Sequence, residues 1–366
     1  MFGLYLSLVA IILHWYVFQR LSTFPLTRQR LPRRVLCTCA LVMLGLFLAG
    51  RWLGHHAPGW PALVLEQVGL CWLVLLFLLA FCLLIVDSVT LFGLILRPYA
   101  VRLCAAALAV GLVLVLFVAV QGWRAPEIES YTVALPGLPA DLDGAVLVVL
   151  SDLHLGTMFG PDWLAGRIDE VQALRPDLVV LAGDIFEGRD APAEAYTSIF
   201  HRLQPRLGVY AVPGNHEYYG RGRAGSVLDT TAGFIVLRNT WVQPAPGLVI
   251  AGIDDLTVQG RTGQDTDYLT ATLPHRPAGA TVLLSHTPWQ VERAAAFGVG
   301  LMLSGHTHNG QVWPFNYIVR QVYPHIAGQY QCAGMTLIVS RGTGLWGPRM
   351  RLWQRGEISH ITLKRK

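Results

Sequence analysis

Long apolar stretches fill the first third of the chain, and short apolar runs take their place after residue 144. Four of the long stretches predict helices that cross a membrane, because a bilayer core takes about 20 apolar residues in a helix. They cover approximately residues 2–18, 35–53, 66–86 and 103–123. A cleaved signal peptide is the alternative for the first stretch, although it has neither a basic start nor a small-residue cleavage site.

Beyond residue 144 the short apolar runs are rich in β-branched residues and alternate with longer amphipathic stretches. Such runs are typical of buried strands, and their alternation predicts an α/β domain over residues 145–366. Residues 124–144 contain several prolines and glycines and separate the two parts. They predict a juxtamembrane linker with one short strand at residues 131–135.

Charge is distributed as unevenly as hydropathy. Residues 1–123 carry eight arginines against the two acids Glu66 and Asp87, whereas the remainder of the chain is almost neutral. A near-neutral domain without a basic stripe argues against nucleic acid as a partner. Its single cysteine, Cys332, excludes a disulfide framework and a cysteine-based zinc site within that domain.

The arginines of the first third also predict an orientation. The loop between the first two spans, residues 19–34, holds five of them. Arg97 and Arg102 lie in the third loop, whereas the one arginine beside the second loop is Arg51, at the end of the second span. The positive-inside rule places the first and third loops in the cytoplasm. With four spans, the domain that follows residue 123 then lies outside the cytoplasm.

Five apolar runs of the second part end in side chains that can bind metal. The runs pass into the sequences SDLH, GDIF, PGNHE, SHTP and SGHTH. Because ligands bind at the carboxyl ends of strands in α/β sheets, these ends are expected to meet at one place. The side chains concerned are Asp152, His154, Asp184, Asn215, His216, His286, His306 and His308.

This set combines imidazole, carboxylate and amide donors and lacks a thiolate. Imidazole with carboxylate suits manganese, iron or zinc, and an amide oxygen favours the harder ions among them. Seven ligands are enough for two ions if one carboxylate bridges them, and two-metal sites stabilise both reacting oxygens of a phosphoryl group. Gly305 and Gly310 flank the last two histidines and allow the backbone to approach the site.

In this order the motifs DLH, GDxx, GNHE, SH and GHTH resemble those of the calcineurin-like metallophosphoesterases, whose pattern runs DxH, GDxxD, GNH(D/E), H and GHxH. The resemblance covers approximately residues 146–340. The form GHTHxGQ and the tail SRGTG are similar to the bacterial membrane-associated branch, which includes phosphodiesterases and enzymes that hydrolyse UDP-2,3-diacylglucosamine. The resemblance implies a four-layer α/β/β/α sandwich, here preceded by a bundle of four transmembrane helices in a bacterial inner membrane.

The resemblance also implies a role for each residue of the set. One ion would be held by Asp152, His154 and His308, and the other by Asn215, His286 and His306, with Asp184 bridging the two. His216 would contact the phosphate and protonate the leaving alkoxide without binding an ion, while a metal-bridging hydroxide attacks in line. We expect two divalent ions, with Mn²⁺ as first choice and Fe or Zn as alternatives.

Two positions depart from the family pattern. Glu187 stands where the GDxxD motif ends in aspartate. Because that position supports a ligand and does not itself bind the ion, we expect retained activity with a shifted metal affinity. Asn309 replaces a glycine of the branch, and asparagine tolerates the left-handed conformation better than other residues with a side chain.

Two further groups of residues leave alternatives open. Arg221 and Arg223, in the loop after GNHE, either pin a substrate phosphate or lie in solvent. Several aromatic residues after the last ligands either face lipid at the mouth of the site or pack in the core. They are Trp313, Phe315, Tyr317, Tyr323 and Trp346.

The sequence thus predicts a membrane-anchored two-metal phosphoesterase that hydrolyses a phosphodiester or pyrophosphate, with membrane lipids or a lipid-linked phosphoester as its partner. The first alternative is a hydrolase of the UDP-2,3-diacylglucosamine pyrophosphatase type, which conflicts with the orientation because its substrate is made on the cytoplasmic side. A receptor or scaffold on a degenerate phosphoesterase fold is the second, and the complete ligand set argues against it. A transporter would need ionisable groups away from the ends of the spans, where only His14 qualifies.

Overall fold

The computed structural model describes residues 2–56, 59–156, 158–187, 193–218, 233–259 and 266–366. The chain divides into two compact units. The first comprises Met1–Trp123 and Gly347–Trp353, and the second comprises Arg124–Trp346 and Gln354–Lys366. The chain therefore leaves the second unit for seven residues near its C-terminal end and then returns to it.

The first unit is built from helices. They are α1 (Phe2–Thr23), α2 (Pro25–Arg30), α3 (Arg33–His56), α4 (Trp60–Thr90) and α5 (Arg97–Gly122). All except the short α2 are long and apolar enough, by length and composition, to cross a membrane. Each of the four helices matches one predicted span, and in each the helix continues beyond at least one end of that span.

Ion pairs connect the ends of these helices. Arg20, near the end of α1, pairs with Asp87 near the end of α4 at 2.5 Å (Nη2 to Oδ1), and the Tyr16 hydroxyl donates to the same carboxylate. Arg51, near the end of α3, pairs with Glu66 near the start of α4 at 2.9 Å (Nη1 to Oε1). Helices α1 and α4 therefore run in the same direction and α3 runs opposite to α4, which is the alternation expected of consecutive spans.

The second unit contains two six-stranded sheets. Their strands are β1 (Glu127–Leu135), β2 (Val146–Leu150), β3 (Leu178–Leu181), β4 (Val209–Ala211), β5 (Ile235–Val236), β6 (Thr240–Ala245), β7 (Leu248–Gly252), β8 (Ala280–Leu284), β9 (Leu301–Ser304), β10 (Gly328–Cys332), β11 (Met335–Val339) and β12 (Glu357–Arg365). The strand orders are β1-β12-β2-β3-β4-β5 and β10-β11-β9-β8-β7-β6. The central strands are parallel, as their fully apolar sequences predict.

Helices cover the outer faces of both sheets. The first sheet packs against α6 (Pro161–Ala173) and α7 (Ala193–Phe200), and the second packs against α8 (Tyr268–Thr272) and α9 (Val291–Ala296). Alternate residues of one strand serve different layers, since side chains along a strand point to opposite faces.

Strand β2 shows this alternation. Leu147 and Val149 join the core between the two sheets, whereas Val148 and Leu150 join the core beneath α6 and α7. The second unit is thus a four-layer α/β/β/α sandwich, which confirms the predicted fold class.

The region expected to be a linker differs from the prediction. Strand β1 begins at Glu127, four residues before the predicted strand, and pairs in parallel with β12 along its whole length. Its first residues alternate between partly buried and exposed, as in an edge strand, so they lack the continuous apolar signature of the central strands. Only residues 123–126 therefore connect α5 to the first sheet.

Candidate metal centre

The predicted ligands meet where β2, β3 and β4 of one sheet and β8 and β9 of the other end. In the first group, His154 Nε2 lies 3.2 Å from His308 Nε2, which in turn lies 3.3 Å from Asp152 Oδ1. All three side chains are buried, and their ligand atoms lie within 4.8 Å of one another. These are the three residues that the resemblance assigns to one ion.

A second group lies beside the first. His286 Nε2 is 3.1 Å from Asp184 Oδ2, and His306 Nδ1 is 3.3 Å from His286 Nε2. The ligand atoms of these three residues also lie within 4.8 Å of one another. Asp184 Oδ2 is 4.0 Å from His154 Nε2 of the first group, so this carboxylate occupies the place between the groups that a bridging ligand requires.

Asn215 and His216 follow β4 in a loop that lies against Asp184. A Cβ atom added to Gly214 would lie only 2.2 Å from Asp184 Oδ1, and the backbone N–H of His216 donates to that oxygen at 2.8 Å. Asn215 is buried in this loop. His216 Nε2 lies 3.9 Å from Asp184 Oδ2 and forms a third group with His154 and Asp184. The geometry alone therefore permits His216 either to bind an ion or to act beside the ions.

A hydrogen bond from Nδ1 of His286 determines that its Nε2 faces the site. The carbonyl oxygen of Ala182 can only accept a hydrogen bond, so His286 donates to it from Nδ1 at 2.7 Å. Its Nε2 then faces the Asp184 carboxylate at 3.1 Å. A nitrogen lone pair this close to a carboxylate is repelled unless a cation or a proton lies between them. The buried set of imidazoles and carboxylates therefore fits divalent metal ions.

Glu187 joins two of the histidines. Its Oε2 atom lies 2.6 Å from His154 Nδ1 and 2.8 Å from His216 Nδ1. Both rings thereby direct Nε2 toward Asp184. The departure from the family pattern thus keeps a carboxylate that orients ligands from behind, which is the role expected for this position.

Both carboxylates among the predicted ligands have a lowered pKa. Burial pushes the pKa of Asp152 upward, but His308 and His286 more than offset this effect and hold the pKa below its usual range. Burial acts in the same way on Asp184, where His286 and His216 hold the pKa well below its usual range. Both side chains are therefore available as anionic ligands at neutral pH.

The pKa values of two of the histidines shift in opposite directions. Burial lowers the pKa of His216, but the carboxylates of Glu187 and Asp184 outweigh it and raise the pKa to about 9. Burial lowers the pKa of His306 to about 4, and the neighbouring His286 acts in the same direction. At neutral pH His216 therefore carries a proton that it can donate, whereas His306 is neutral and can bind a metal.

The backbone is strained at the site. Five predicted ligands have φ between +46° and +71°, a region that residues other than glycine rarely occupy. They are Asp152, His154, Asp184, His306 and His308. Each such conformation costs on the order of 1–3 kcal/mol and persists at functional sites where the surrounding structure enforces it. Asn309 is also left-handed, at φ +52°, as its replacement of glycine predicts.

The two glycines of the last motif permit close approach, as predicted. A Cβ atom on Gly305 would lie 1.9 Å from Ser151 Oγ and 2.2 Å from Asp152 Oδ2. Gly310 has φ +68°, and a Cβ atom there would lie 2.5 Å from the Asn316 Cα. No larger residue fits at either position without moving the ligand loop.

Glu217 supports the site in a way that sequence reasoning missed. Its carboxylate accepts hydrogen bonds from the backbone N–H groups of Asp184, Ile185, Phe186 and Gly214, at 2.7–3.1 Å. It thereby fastens the loop after β3 to the loop after β4. The signal was present, because this is the acidic residue of GNHE, but the motif alone does not reveal a backbone-binding role.

Two more supporting residues were not predicted. The Tyr323 hydroxyl lies 2.8 Å from His306 Nε2 and so orients that ring. Asp255 is fully buried after β7 and accepts a hydrogen bond from the Thr287 hydroxyl at 2.5 Å, next to His286. Asp255 could have been found, since AGIDD follows an apolar run in the same way as the five ligand motifs.

The remaining candidates have different outcomes. Arg221 and Arg223 lie outside the described residues. Among the aromatic residues after the last ligands, Phe315 and Tyr317 are exposed, and Trp313, Tyr323 and Trp346 are half-buried. The Trp346 backbone pairs with the Gln311 side chain, and its ring centroid lies 6.4 Å from that of His216.

One family of known proteins is similar to this chain. Residues 145–310 match the model of the calcineurin-like phosphoesterase family. The chain is 33% identical over 261 residues to a transmembrane protein with metallophosphoesterase domain from Bos taurus, covering 65% of this chain and 57% of the relative. It therefore spans less than two thirds of that relative's length.

A second relative is covered almost completely. The chain is 35% identical over 248 residues to an uncharacterized metallophosphoesterase from Aquifex aeolicus, covering 66% of this chain and 92% of the relative. Among solved structures, a dimetal phosphatase from Danio rerio matches with 15% identity and a TM-score of 0.37, covering 55% of this chain and 88% of that one. Motifs, site and relatives together support a phosphohydrolase that uses divalent metal ions, and the chain belongs to the calcineurin-like phosphoesterase family.

Proposed function

We propose that this protein is a membrane-anchored phosphoesterase that uses two divalent metal ions to hydrolyse a phosphodiester or pyrophosphate carried by a lipid. The observation that carries the proposal is the convergence of two adjacent ligand groups on Asp184, with His216 beside them. Manganese is the proposed metal, because carboxylate and amide oxygens accompany the imidazoles.

Each ion has its own set of residues in this proposal. Asp152, His154 and His308 would hold one ion, Asn215, His286 and His306 would hold the other, and Asp184 would serve both. When bound, the ions neutralise the charge of the phosphoryl group and lower the pKa of the attacking water. The buried surroundings strengthen these interactions, since bulk water is excluded from the carboxylates.

His216 supplies the proton that completes the reaction. Glu187 holds its Nδ1, so that Nε2 faces the site, and the carboxylates of Glu187 and Asp184 favour the protonated ring by raising its pKa. As the bond between phosphorus and the leaving oxygen breaks, Nε2 donates its proton to that oxygen. The ring recovers a proton from solvent after the product leaves, so protons balance over the cycle.

A lipid-borne substrate is favoured by the covalent architecture. Helix α5 ends at Gly122 and β1 begins at Glu127. Five residue steps span at most about 18 Å, at 3.3–3.6 Å each. A domain tied so closely to candidate membrane spans meets lipids at a high effective concentration, which a soluble substrate would not need.

We place the second unit outside the cytoplasm of a bacterial inner membrane. Support comes from the four candidate spans and from the arginines of the first and third loops. A pair of C-terminal fusions tests this orientation, and we expect an active alkaline phosphatase and a dark cytoplasm-maturing fluorescent protein. The reverse result would place the site in the cytoplasm and favour the UDP-2,3-diacylglucosamine type of substrate.

The metal requirement tests the chemistry itself. Full-length protein in detergent, stripped of metal with a chelator, should lose hydrolysis of bis(p-nitrophenyl) phosphate and regain it with Mn²⁺. A panel of lipid diesters, nucleotide-lipid pyrophosphates and monoesters then identifies the substrate class. Undiminished hydrolysis by protein shown to be metal-free would end the two-metal proposal.

A further inference from the structure

Exposed hydrophobic side chains gather in one short segment of the second unit. Within the described part of this unit, the large hydrophobic side chains that are exposed are Ile128, Ile235, Phe315, Tyr317, Ile318 and Val322. Four of these six lie within residues 315–322, with 41–57% of their surface exposed. Single exposed hydrophobic residues are ordinary, whereas a cluster marks an interaction surface.

This segment has a helical backbone and therefore two faces. Helix α10 (Asn316–Val319) is prolonged by a backbone hydrogen bond from Tyr323 to the carbonyl four residues before it. Phe315, Ile318 and Val322 are spaced by three and four residues, so they share one side of the turns. We call this side, with Tyr317 at its edge, the 315–322 face.

The opposite side of the segment touches the ligand loop. The Cα atom of Asn316 packs against Gly310, and the Tyr323 hydroxyl lies 2.8 Å from His306 Nε2. The Tyr323 ring stacks on Trp289, with centroids 5.6 Å apart. Only the thickness of one helix, roughly 10 Å with side chains, therefore separates the 315–322 face from the ligand histidines.

We propose that the 315–322 face inserts into the surface of the lipid bilayer. A bilayer is the partner because the same chain carries four candidate membrane spans and only residues 123–126 connect α5 to β1. The edge of the face has the chemistry of a membrane interface. Tyrosine, here Tyr317, is enriched at headgroup level, and the exposed Arg320 suits lipid phosphates.

The insertion gives the site a fixed depth. Because the inner side of the segment holds His306 through Tyr323, a face anchored among the acyl chains keeps the ligand histidines close to the level of the headgroups. That is where the phosphoester of a lipid lies. The use of the contact rests on the proposed function, but the contact itself does not depend on catalysis.

Spin labelling of the full-length protein in lipid nanodiscs tests the contact without any assay of activity. The six native cysteines, all free, are replaced by serine, and a single label is attached through Ile318→Cys. Ile235→Cys is the matched control, since its side chain is 53% exposed against 57% for Ile318 but lies in β5 at a sheet edge. The nanodiscs contain phosphatidylethanolamine and phosphatidylglycerol.

Collision rates with molecular oxygen and with a water-soluble nickel chelate report the depth of each label. We expect oxygen to dominate at residue 318 and the nickel chelate to dominate at residue 235. Nickel-dominated collisions at residue 318 would overturn the proposal. Low collision rates with both reagents would also overturn it, because protein and not lipid would then cover the face. Val322→Cys, on the same face, gives a second position if the first variant fails to fold. Loss of phosphoesterase function would leave all these readings unchanged.

Discussion

Replacing Glu187 by glutamine removes one negative charge from the site and nearly preserves the shape of the side chain. In the native protein a single oxygen, Oε2, serves both His154 Nδ1 at 2.6 Å and His216 Nδ1 at 2.8 Å. The amide oxygen of glutamine can accept these hydrogen bonds, but hydrogen bonds with an ionised partner are about twice as strong as neutral ones. Both histidines therefore lose support in Glu187→Gln.

The expected loss can be given a magnitude. Partners that hydrogen-bond to a metal ligand from behind contribute about 10–100-fold in metal affinity or activity. We therefore expect Mn²⁺ affinity to fall by about one to two decades, or about 1.4–2.8 kcal/mol at 1.4 kcal/mol per decade. Glu187→Asp, which restores the family residue, should lose less because it keeps the charge.

The same change should move the pH profile. Glu187 is the principal charge that raises the pKa of His216 to about 9 against the effect of burial. Without this charge the pKa of His216 falls. Since the ring acts as an acid only when protonated, the decline of kcat on the alkaline side should begin at a lower pH in Glu187→Gln than in the native protein. Bound cations would lower this pKa in both proteins, so the two proteins are compared at equal metal saturation.

Calorimetric titration of Mn²⁺ into the metal-free protein and the pH dependence of kcat for an unactivated ester measure the two effects. Glu170→Gln is the control, because it removes a carboxylate from α6 that pairs with Arg167. An unchanged Mn²⁺ affinity together with an unshifted alkaline limb in Glu187→Gln would refute the role assigned to Glu187.

Two further substitutions give distinct outcomes. His216→Ala should lower kcat by about 10²–10⁴, the usual contribution of a general acid, while mass spectrometry still finds both ions; disappearance of bound metal would instead identify His216 as a ligand. Gly305→Ala should destabilise the fold by about 1–3 kcal/mol, as overpacking does, because its Cβ would lie 1.9 Å from Ser151 Oγ. Gly166→Ala in α6, where nothing lies within 4 Å, should leave the melting temperature unchanged or raise it; equal melting temperatures for both variants would contradict this reasoning.

The part of the site that could be predicted is the part that local sequence determines. Asp152 and Asp184 follow fully apolar runs, and such runs become parallel strands whose ends share one edge. The residues that hold the ligands in position could not be predicted in the same way. The Tyr323 hydroxyl contacts His306, which lies 17 residues before it in the sequence. Glu217 binds backbone N–H groups, and the residue types of these partners do not reveal such contacts.

The limits of the fold prediction have a similar cause. Glu127 begins an edge strand in which polar residues such as Glu129 and Ser130 occupy both faces, so the first half of β1 looks like a linker in sequence. The positive φ values at the ligands are equally invisible, because asparagine, aspartate and histidine only tolerate that conformation and do not impose it. Long-range packing enforces these backbone conformations.

The excursion of the chain near its end affects how a soluble form of the second unit can be made. Residues Gly347–Trp353 belong to the first unit, where the Arg351 N–H donates to the Val118 carbonyl and the Arg349 guanidinium lies 3.9 Å from the Trp123 ring centroid. A fragment that starts at Arg124 would keep this segment but lose these partners at Val118 and Trp123. A soluble enzyme therefore requires two alterations, removal of the helices and replacement of the seven-residue excursion by a flexible bridge.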